Sequence, residues 1–382
     1  MMFAQVIGHD IVKKHLIKSV HNGRVPHAQM FVGPEGCGKL PLAIAYAQYL
    51  VCANTGDDNK GGKDNCNLMF KKFAHPDVHF SFPVTTTSAI KKDPKSADFN
   101  QEFLQFLKEE PYGNLLDWQR FMGVEKKQTI INVHEAKSVD HFLSMKPYEG
   151  GYKVVIMWMA DTMNEAAANK LLKSIEEPPD NTVIILLAKS EENVIGTIRS
   201  RCQVIHLNGL PEVSITKELV NRGVPEMKAN KIAHQSAGNF NKALDLVEGR
   251  SEDSMFEEWF ITWVRNAFRA KGNKSVINDL VDWSESIATS GRQAQKEFLI
   301  YSTEVFRQAM LINYGVETLS YFDFEGNDFD LKKFAPFIHN GNIVELIAHL
   351  EEAVYHVQGN GNAKIILTDL SIKLTRLLHA KQ

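Results

Sequence analysis

The 382-residue sequence predicts an α/β P-loop domain built on a parallel, doubly wound sheet, followed by a helical lid and an all-α C-terminal domain. A glycine-rich loop follows a short apolar strand, and apolar runs then alternate with helical patterns. After residue 210 only helical periodicity continues. We place the domains at residues 1–210, with an inserted segment at 84–128, then at 211–250 for the lid and 251–382 for the C-terminal helices.

The composition is typical of a globular protein, with 44% hydrophobic residues, 23% charged residues and a net charge of −3. This balance argues against a uniformly basic nucleic-acid-binding surface but allows a local basic patch. Met1–Leu16 has no signal-peptide core, and apolar runs such as Val154–Ala160 are too short to span a bilayer. We therefore expect a cytoplasmic protein with no membrane partner. The four cysteines suggest no disulfide framework and fit a reducing compartment.

The first elements lead into the glycine-rich loop and away from it. Phe3–Val20 has apolar residues at helical spacing, and Met30–Val32 is a short apolar strand that ends at the loop. Pro41–Leu50 is a second helical pattern directly after the loop. The N-terminus of that helix is predicted to face a bound phosphate.

The loop itself has the spacing of a phosphate-binding loop. Gly33, Gly36 and Gly38 allow backbone N–H groups to curl around a phosphate, and Lys39 supplies a neutralising ammonium group. The next residue normally carries a hydroxyl that ligates magnesium, but here it is Leu40. We predict a vestigial nucleotide site that can still hold a phosphate or nucleotide without positioning magnesium. The alternative is a glycine-rich turn with no ligand.

The polar segment after this helix contains only two cysteines, Cys52 and Cys66. A zinc site formed by protein alone normally needs four Cys or His ligands, so His75 and His79 would have to complete it. We expect instead a solvated loop with two unpaired thiols and no metal.

The inserted segment has a lysine-rich turn at Lys91–Lys95 and one amphipathic helical pattern. Its apolar stripe is predicted to be a packing face and not a ligand site, and it consists of Phe99, Phe103, Phe106 and Leu107. After the insert, Thr129–Val133 is predicted to be an apolar strand.

Tyr152–Ala160 is a nearly continuous apolar run, which is typical of a central parallel strand covered on both faces. In a working P-loop ATPase this strand ends in adjacent acidic residues, one for magnesium and one to polarise the attacking water. Trp158 and Met159 occupy those positions, and Asp161 stands too far along the chain to perform both tasks. Together with Leu40, this second loss predicts that the chain has no ATPase activity of its own.

The remaining elements complete the alternation of strands and helices in the first domain. Asn164–Glu177 has a helical pattern that ends at two prolines, and Thr182–Ala188 and Val204–Leu207 are apolar strands. From Val213 onward the pattern is helical.

Three motifs together resemble the AAA+ subunits of DNA polymerase clamp loaders: Gly33–Lys39, Asn164–Pro179 and Ser200-Arg201-Cys202. The resemblance covers about residues 1–250 and is only architectural in the C-terminal helices. It implies an AAA+ domain, and a collar formed by the C-terminal helices in a hetero-oligomeric complex. The implied partners are the ATPase subunits and the clamp-opening subunit of the clamp loader, with primed DNA inside the assembled complex.

The same resemblance implies roles for individual residues. Arg201 matches the arginine that reaches across a subunit interface to a neighbour's ATP, where a planar, permanently charged donor stabilises the transferring phosphate. Asn241 stands where ATP-hydrolysing relatives have a lid arginine. The family's four zinc-binding cysteines match Cys52, Lys60, Lys63 and Cys66 in this sequence. Two of these four residues are lysines, which argues against zinc binding here.

We therefore expect a non-hydrolysing stator subunit that donates Arg201 in trans during loading of the sliding clamp in DNA replication. Two alternatives remain open. An autonomous P-loop ATPase would use Asp161 or Glu165 as a metal ligand. A nucleic-acid-binding adaptor would use basic residues on phosphates, and its binding would weaken with salt. The candidate residues of such an adaptor are Lys13, Lys14 and the Lys91–Lys95 turn.

Overall fold

The computed structural model describes residues 1–53, 62–149, 151–248, 252–273, 275–316 and 329–380. The chain divides into two compact units, which we describe separately. The first comprises Met1–Val124 and Thr129–Leu244, and the second comprises Glu125–Gln128 and Asp245–Gln382. The predicted lid boundary at residue 250 lies outside the described residues, and the division at 210 and 250 stays a prediction.

A five-stranded parallel sheet forms the centre of the first unit, with the strand order β2-β3-β4-β1-β5. The strands are β1 (Ala28–Val32), β2 (Val78–Ser81), β3 (Lys153–Met157), β4 (Thr182–Ala188) and β5 (Gln203–His206). In register, Ala28 lies opposite Ile184 of β4, and Gln29 lies opposite Gln203 of β5. The predicted doubly wound α/β class is confirmed, and the loop after β1 leaves the sheet between its two neighbouring strands.

Helices and short connections surround this sheet. Those of the first unit are α1 (Asp10–His21), α2 (Lys39–Val51), α3 (Asp64–Lys71), α4 (Asn100–Glu109), α5 (Leu115–Phe121), α6 (Val133–Ser144), α7 (Glu165–Glu176), α8 (Gly196–Arg199), α9 (Glu212–Asn221) and α10 (Glu226–Gln235). The next helix, α11 (Phe240–Glu248), begins in this unit and extends past its boundary at Leu244.

Both faces of the sheet are buried, which explains why its central strands are apolar at nearly every position. Phe31 of β1 packs in a cluster with α2 and the inserted segment. Met30 and Val32 pack in a second cluster, with α6 and α7, on the other face. Successive side chains of a strand point to opposite faces, so each β1 residue needs an apolar neighbour on its own side.

The inserted segment forms two helices where one was predicted. The predicted helix is confirmed as α4, whereas α5 was not predicted. Phe103 and Phe106 are fully buried, and the Phe103 ring stacks on Phe82 with centroids 3.8 Å apart. Trp118 of α5 packs edge-on against Phe103 at 5.4 Å. The prediction that the aromatic stripe is a packing face is therefore confirmed.

One strand assignment from the sequence is wrong, and one strand was missed. Thr129–Val133 contributes only two isolated bridges, and its last residue already begins α6. Conversely, β2 was not predicted, because only two of its four residues are buried and the sequence around it is polar.

The expectation of two unpaired thiols is also wrong, because Cys52 and Cys66 form a disulfide with their sulfurs 2.04 Å apart. Cys52 follows the last residue of α2 and Cys66 lies in α3, and both are fully buried. The bond therefore ties these two helices together. Cys37 and Cys202 are free cysteines. With one disulfide present, the cysteine count no longer supports a reducing compartment.

The second unit is helical throughout its described part, which confirms the predicted all-α C-terminal region. Its helices are α12 (Glu252–Ala270), α13 (Val276–Ala288), α14 (Arg292–Asn313), α15 (Leu331–Phe334), α16 (Ile343–Gln358) and α17 (Ala363–Leu377). Trp263 and Trp283 stack at 5.3 Å in its core, and Phe298 packs against both rings. Among the described residues, no helix has the length and apolar character needed to cross a membrane.

A buried carboxylate holds the inserted segment against the sheet. Glu135 of α6 is fully buried, with the Nε2 atom of His79 in β2 3.1 Å from its Oε1. The backbone N–H of Ser96 donates to Oε2 at 2.8 Å. Burial alone would raise the pKa of Glu135, but the hydrogen bond and charge of His79 and the Ser96 N–H outweigh it and hold the pKa below its ordinary value.

The effect of replacing the Glu135 carboxylate on the free energy of unfolding should depend on pH. Because the folded-state pKa is lowered, Glu135 stabilises the fold above its unfolded-state pKa and loses that effect as pH falls through the folded-state value. We expect Glu135→Gln to lower the free energy of unfolding at pH 7 by about 2–3 kcal/mol, since it breaks a buried charged contact. In urea unfolding, the difference from the unmodified chain should shrink as the pH is lowered below about 4. Glu102→Gln on the exposed face of α4 is the control. An equal difference at both pH values would contradict the assignment.

Candidate functional site

The loop between β1 and α2 has the backbone shape required to enclose a phosphate. Gly36 and Gly38 have φ angles of 63° and 95°, in the left-handed region that favours glycine. Lys39 begins α2 directly after Gly38. The four predicted nucleotide-site residues, Gly33, Gly36, Gly38 and Lys39, thus lie together at the carboxyl end of β1.

The Lys39 ammonium group is bound to the loop's own carbonyl oxygens. Its Nζ donates to the oxygens of Gly33 and Pro34, each at 2.6 Å. Burial lowers the pKa of Lys39, against the opposing charges of Cys37, Glu35 and Asp161. Backbone oxygens therefore take the hydrogen bonds that a phosphate would accept.

Tyr112, from the turn between α4 and α5, fills the space in front of the loop. Its ring lies so close to Gly38 that a Cβ on that glycine would be 3.0 Å from Cε1. The ring also packs edge-on against Phe240 of the lid at 4.9 Å, and its hydroxyl accepts a hydrogen bond from the Ile7 N–H at 3.1 Å. Burial raises the pKa of Tyr112 to about 12, so the phenol stays protonated. Sequence reasoning missed this residue, since the surrounding Pro-Tyr-Gly-Asn pattern indicates only a turn.

The start of α11 contacts the loop from a second direction. The Phe240 N–H donates to the Gly36 oxygen at 3.1 Å. A Cβ on Gly36 would lie only 1.7 Å from Oδ1 of Asn239, so glycine is required for this approach. Asn241, at the position of the absent lid arginine, donates from Nδ2 to Oδ2 of Asp117 at 2.7 Å. The lid thus contacts both the loop and the inserted segment.

The space that remains at the loop is about 20 Å³, which is enough for a single water molecule. Leu40, Trp158 and Met159 line it, together with Tyr112. Trp158 is buried and packs against Phe103 and Phe106, each at 5.7 Å. Glu35 and Asn114 also line this space, but the residues at the positions of the usual magnesium ligands, Leu40 and Trp158, offer no oxygen atom from their side chains.

The two alternative metal ligands do not line this space. Asp161 lies in a short 3-10 turn, Ala160–Thr162, and is near enough to Lys39 to influence its pKa. Glu165 is exposed at the first turn of α7. Neither carboxylate belongs to the lining of the 20 Å³ cavity.

Arg201 lies on the surface between α8 and β5. Its Nε donates to Oε1 of Glu176, at the end of α7, and its Nη1 donates to the Thr197 oxygen at 2.7 Å. The side chain is 36% exposed and that of Glu176 is 42% exposed. The guanidinium group is therefore accessible and is held by one surface ion pair.

The described residues at the positions considered for zinc have other bonding partners. Cys66, His75 and Glu149 have ligand atoms within 4.8 Å of one another, but the Cys66 sulfur is bonded to Cys52. The His75 Nδ1 accepts the Asp77 N–H at 3.1 Å, which leaves the proton on Nε2. Glu149 pairs with Lys63 at 2.9 Å. Lys60 lies outside the described residues.

The lysines considered for nucleic-acid binding differ in their surroundings. The Lys13 ammonium group donates to the Val6 oxygen at 2.6 Å and lies 3.7 Å from Asp10, so it is already engaged. Lys14 is exposed. Within the Lys91–Lys95 turn, the Asp93 carboxylate lies 3.0 Å from Nε2 of His134.

Comparison with known proteins links the first unit to a family. Residues 8–211 match the family model described as DNA polymerase III, delta subunit. The DNA polymerase III subunit delta' of Bacillus subtilis (strain 168) is 26% identical over 235 residues, which cover 62% of this chain and 58% of that protein. The corresponding subunit of Escherichia coli (strain K12) is 24% identical over 365 residues, 95% of this chain and 93% of the relative.

A third relative is the DNA polymerase III subunit gamma/tau of Mycobacterium tuberculosis (strain ATCC 25618 / H37Rv). It is 28% identical over 200 residues, which cover 52% of this chain and 27% of that protein. The chain therefore spans less than two thirds of the length of the Bacillus and Mycobacterium relatives.

Truncation of the buried Tyr112 side chain should show how much it contributes to the stability of the fold. We expect Tyr112→Ala to lower the free energy of unfolding by about 3–4 kcal/mol, because a large buried ring is removed from between three segments. Tyr112→Phe should cost only about 1 kcal/mol, since it removes one hydrogen bond. Urea unfolding of the full chain measures both values. Tyr148→Ala, at a tyrosine that is 72% exposed, is the control. If Tyr112→Ala is as stable as this control, the ring does not hold the loop and lid together.

Proposed function

This chain belongs to the family described as DNA polymerase III, delta subunit, and from that premise we propose that it is a non-hydrolysing stator subunit of the polymerase's clamp loader. In this role it donates Arg201 in trans to ATP held by a neighbouring ATPase subunit, while its own loop turns over no ATP. The observation that carries the proposal is the contrast between an accessible Arg201 and a nucleotide site filled by Tyr112.

The surroundings of Arg201 support a role between subunits. Its ion pair with Glu176 is exposed to solvent, and such pairs contribute about 0.2–1 kcal/mol. Release of the guanidinium group toward a neighbour's phosphate therefore costs little. Arginine is suited to this task because its planar fork of N–H donors matches phosphate oxygens and its charge is permanent.

The surroundings of the loop support the absence of hydrolysis. Magnesium in a phosphoryl-transfer site is held by a loop hydroxyl and an acidic residue at the end of the neighbouring strand. Leu40 and Trp158 occupy these positions, and both are buried. Neither of these two side chains can supply an oxygen ligand to a metal ion.

The same proposal assigns roles to the other domains of the chain and names its partners in the clamp loader. We propose that residues 251–382 join the other subunits as a collar and that residues 211–250 form the lid. The partners are the ATPase subunits and the clamp-opening subunit, and primed DNA is bound within the assembled complex. This activity belongs in the cytoplasm, where the chromosome is replicated.

Arg201→Ala in the reconstituted complex tests the proposal. Arginine fingers contribute at least about a thousandfold to phosphoryl transfer, so we expect hydrolysis at the adjacent ATP site to slow by at least about a hundredfold. Single-turnover ATP hydrolysis, measured with clamp and primed DNA present, reports this change. Arg199→Ala is the matched control, because it removes an exposed arginine two residues away.

The isolated chain provides the second arm of this test. We expect it to show no ATP turnover. Turnover that is abolished by Lys39→Met would identify an autonomous ATPase, and an unaffected Arg201→Ala complex would exclude the finger. Either result would overturn the proposal.

A further inference from the structure

A second cavity of the first unit shares Pro111 and Tyr112 with the small space at the phosphate-binding loop, but none of residues 33–39 lines it. Its volume is about 860 Å³, within the range of about 300–1,000 Å³ typical of small-molecule sites. The N-terminal segment, the ends of α3 and α4, and α9 contribute its walls. Segments distant in the sequence therefore converge on one concave space.

The charge of this cavity is unbalanced. Its two acidic residues already have partners, since Asp10 lies 3.7 Å from Lys13 and Glu218 accepts from Arg222 at 2.9 Å. Three further lysines remain in the lining: Lys71, Lys108 and Lys217. Within the part of the chain that the structure describes, none of these three has an ion-pair partner. The cavity therefore has a surplus of three positive charges on a chain whose net charge is −3.

The apolar part of the lining is aromatic and aliphatic. Phe73, Leu107, Pro111 and Tyr112 contribute to it. A ligand that fits both parts has several negative charges next to a flat apolar ring. Phosphate groups would meet the three ammonium groups, and the ring would lie against the apolar side chains.

We propose that this cavity binds a nucleoside polyphosphate, at a site separate from the vestigial loop. The lysines come from three different elements, so they surround a ligand and do not form a linear track along one helix. A cavity of finite volume also suits a small polyanion better than a continuous nucleic-acid strand, which needs a groove that follows its backbone. The site is independent of the stator role.

The test is isothermal titration calorimetry of the full chain with ATP, without added divalent metal. The triple variant Lys71→Gln, Lys108→Gln and Lys217→Gln should weaken binding at least about tenfold, because each exposed ion pair contributes modestly. The matched control replaces three other exposed lysines with the same loss of charge: Lys137→Gln, Lys146→Gln and Lys173→Gln. Binding by the unmodified chain should have a Kd below about 1 mM and weaken as salt is raised.

The other outcomes overturn the proposal. Equal loss in the control triple variant would show a general charge effect. Loss in Lys39→Met, with binding retained in the cavity triple variant, would place the ligand at the loop. If inorganic tripolyphosphate binds as tightly as ATP, the apolar side chains do not receive a nucleoside. Binding of a 20-nucleotide oligothymidylate without binding of ATP would assign the surface to single-stranded nucleic acid, and no binding at all would exclude the site.

Discussion

The contacts of one phenol ring, that of Tyr112, determine the state of the nucleotide site. The ring touches the loop at Gly38 and the lid at Phe240, and its hydroxyl bonds to the N-terminal segment at Ile7. In a nucleotide-binding domain the ligand itself bridges a loop and a lid, so that the lid responds to binding and release. Here the Tyr112 side chain itself joins the loop, α11 and the N-terminal segment.

The loss of metal ligands and the presence of the inserted segment are physically coupled. Trp158 packs against Phe103 and Phe106 of α4, so the end of β3 is part of the aromatic core that anchors the insert. An acidic residue at position 158 would bury a carboxylate among aromatic rings without a compensating charge, at a cost of several kcal/mol. The apolar residue at position 158 therefore serves the packing of the insert.

The local sequence pattern was sufficient to predict an element wherever the burial of its residues follows a regular pattern along the chain. The bounds of β4, Thr182–Ala188, agree with the sequence prediction because all of its residues are buried and every residue after Thr182 is apolar. An edge strand such as β2 has no such signal. The Cys52–Cys66 bond and the position of Tyr112 depend on contacts between distant segments, and spacing within one segment contains no information about them. The phosphate-loop glycines were predictable, whereas the residue that fills the loop was not.

In the proposed role of Arg201, its ion pair with Glu176 would keep the arginine in a defined position before a neighbouring subunit binds. An unpaired arginine on the surface samples many rotamers, and ordering it at an interface costs conformational entropy. The carboxylate of Glu176 and the Thr197 carbonyl restrict the guanidinium group near its own backbone. Because this pair is exposed, it is weak enough to be exchanged for phosphate oxygens, which carry more charge. In the proposed role, Glu176 thus lowers the entropic cost of engagement without competing strongly for the arginine.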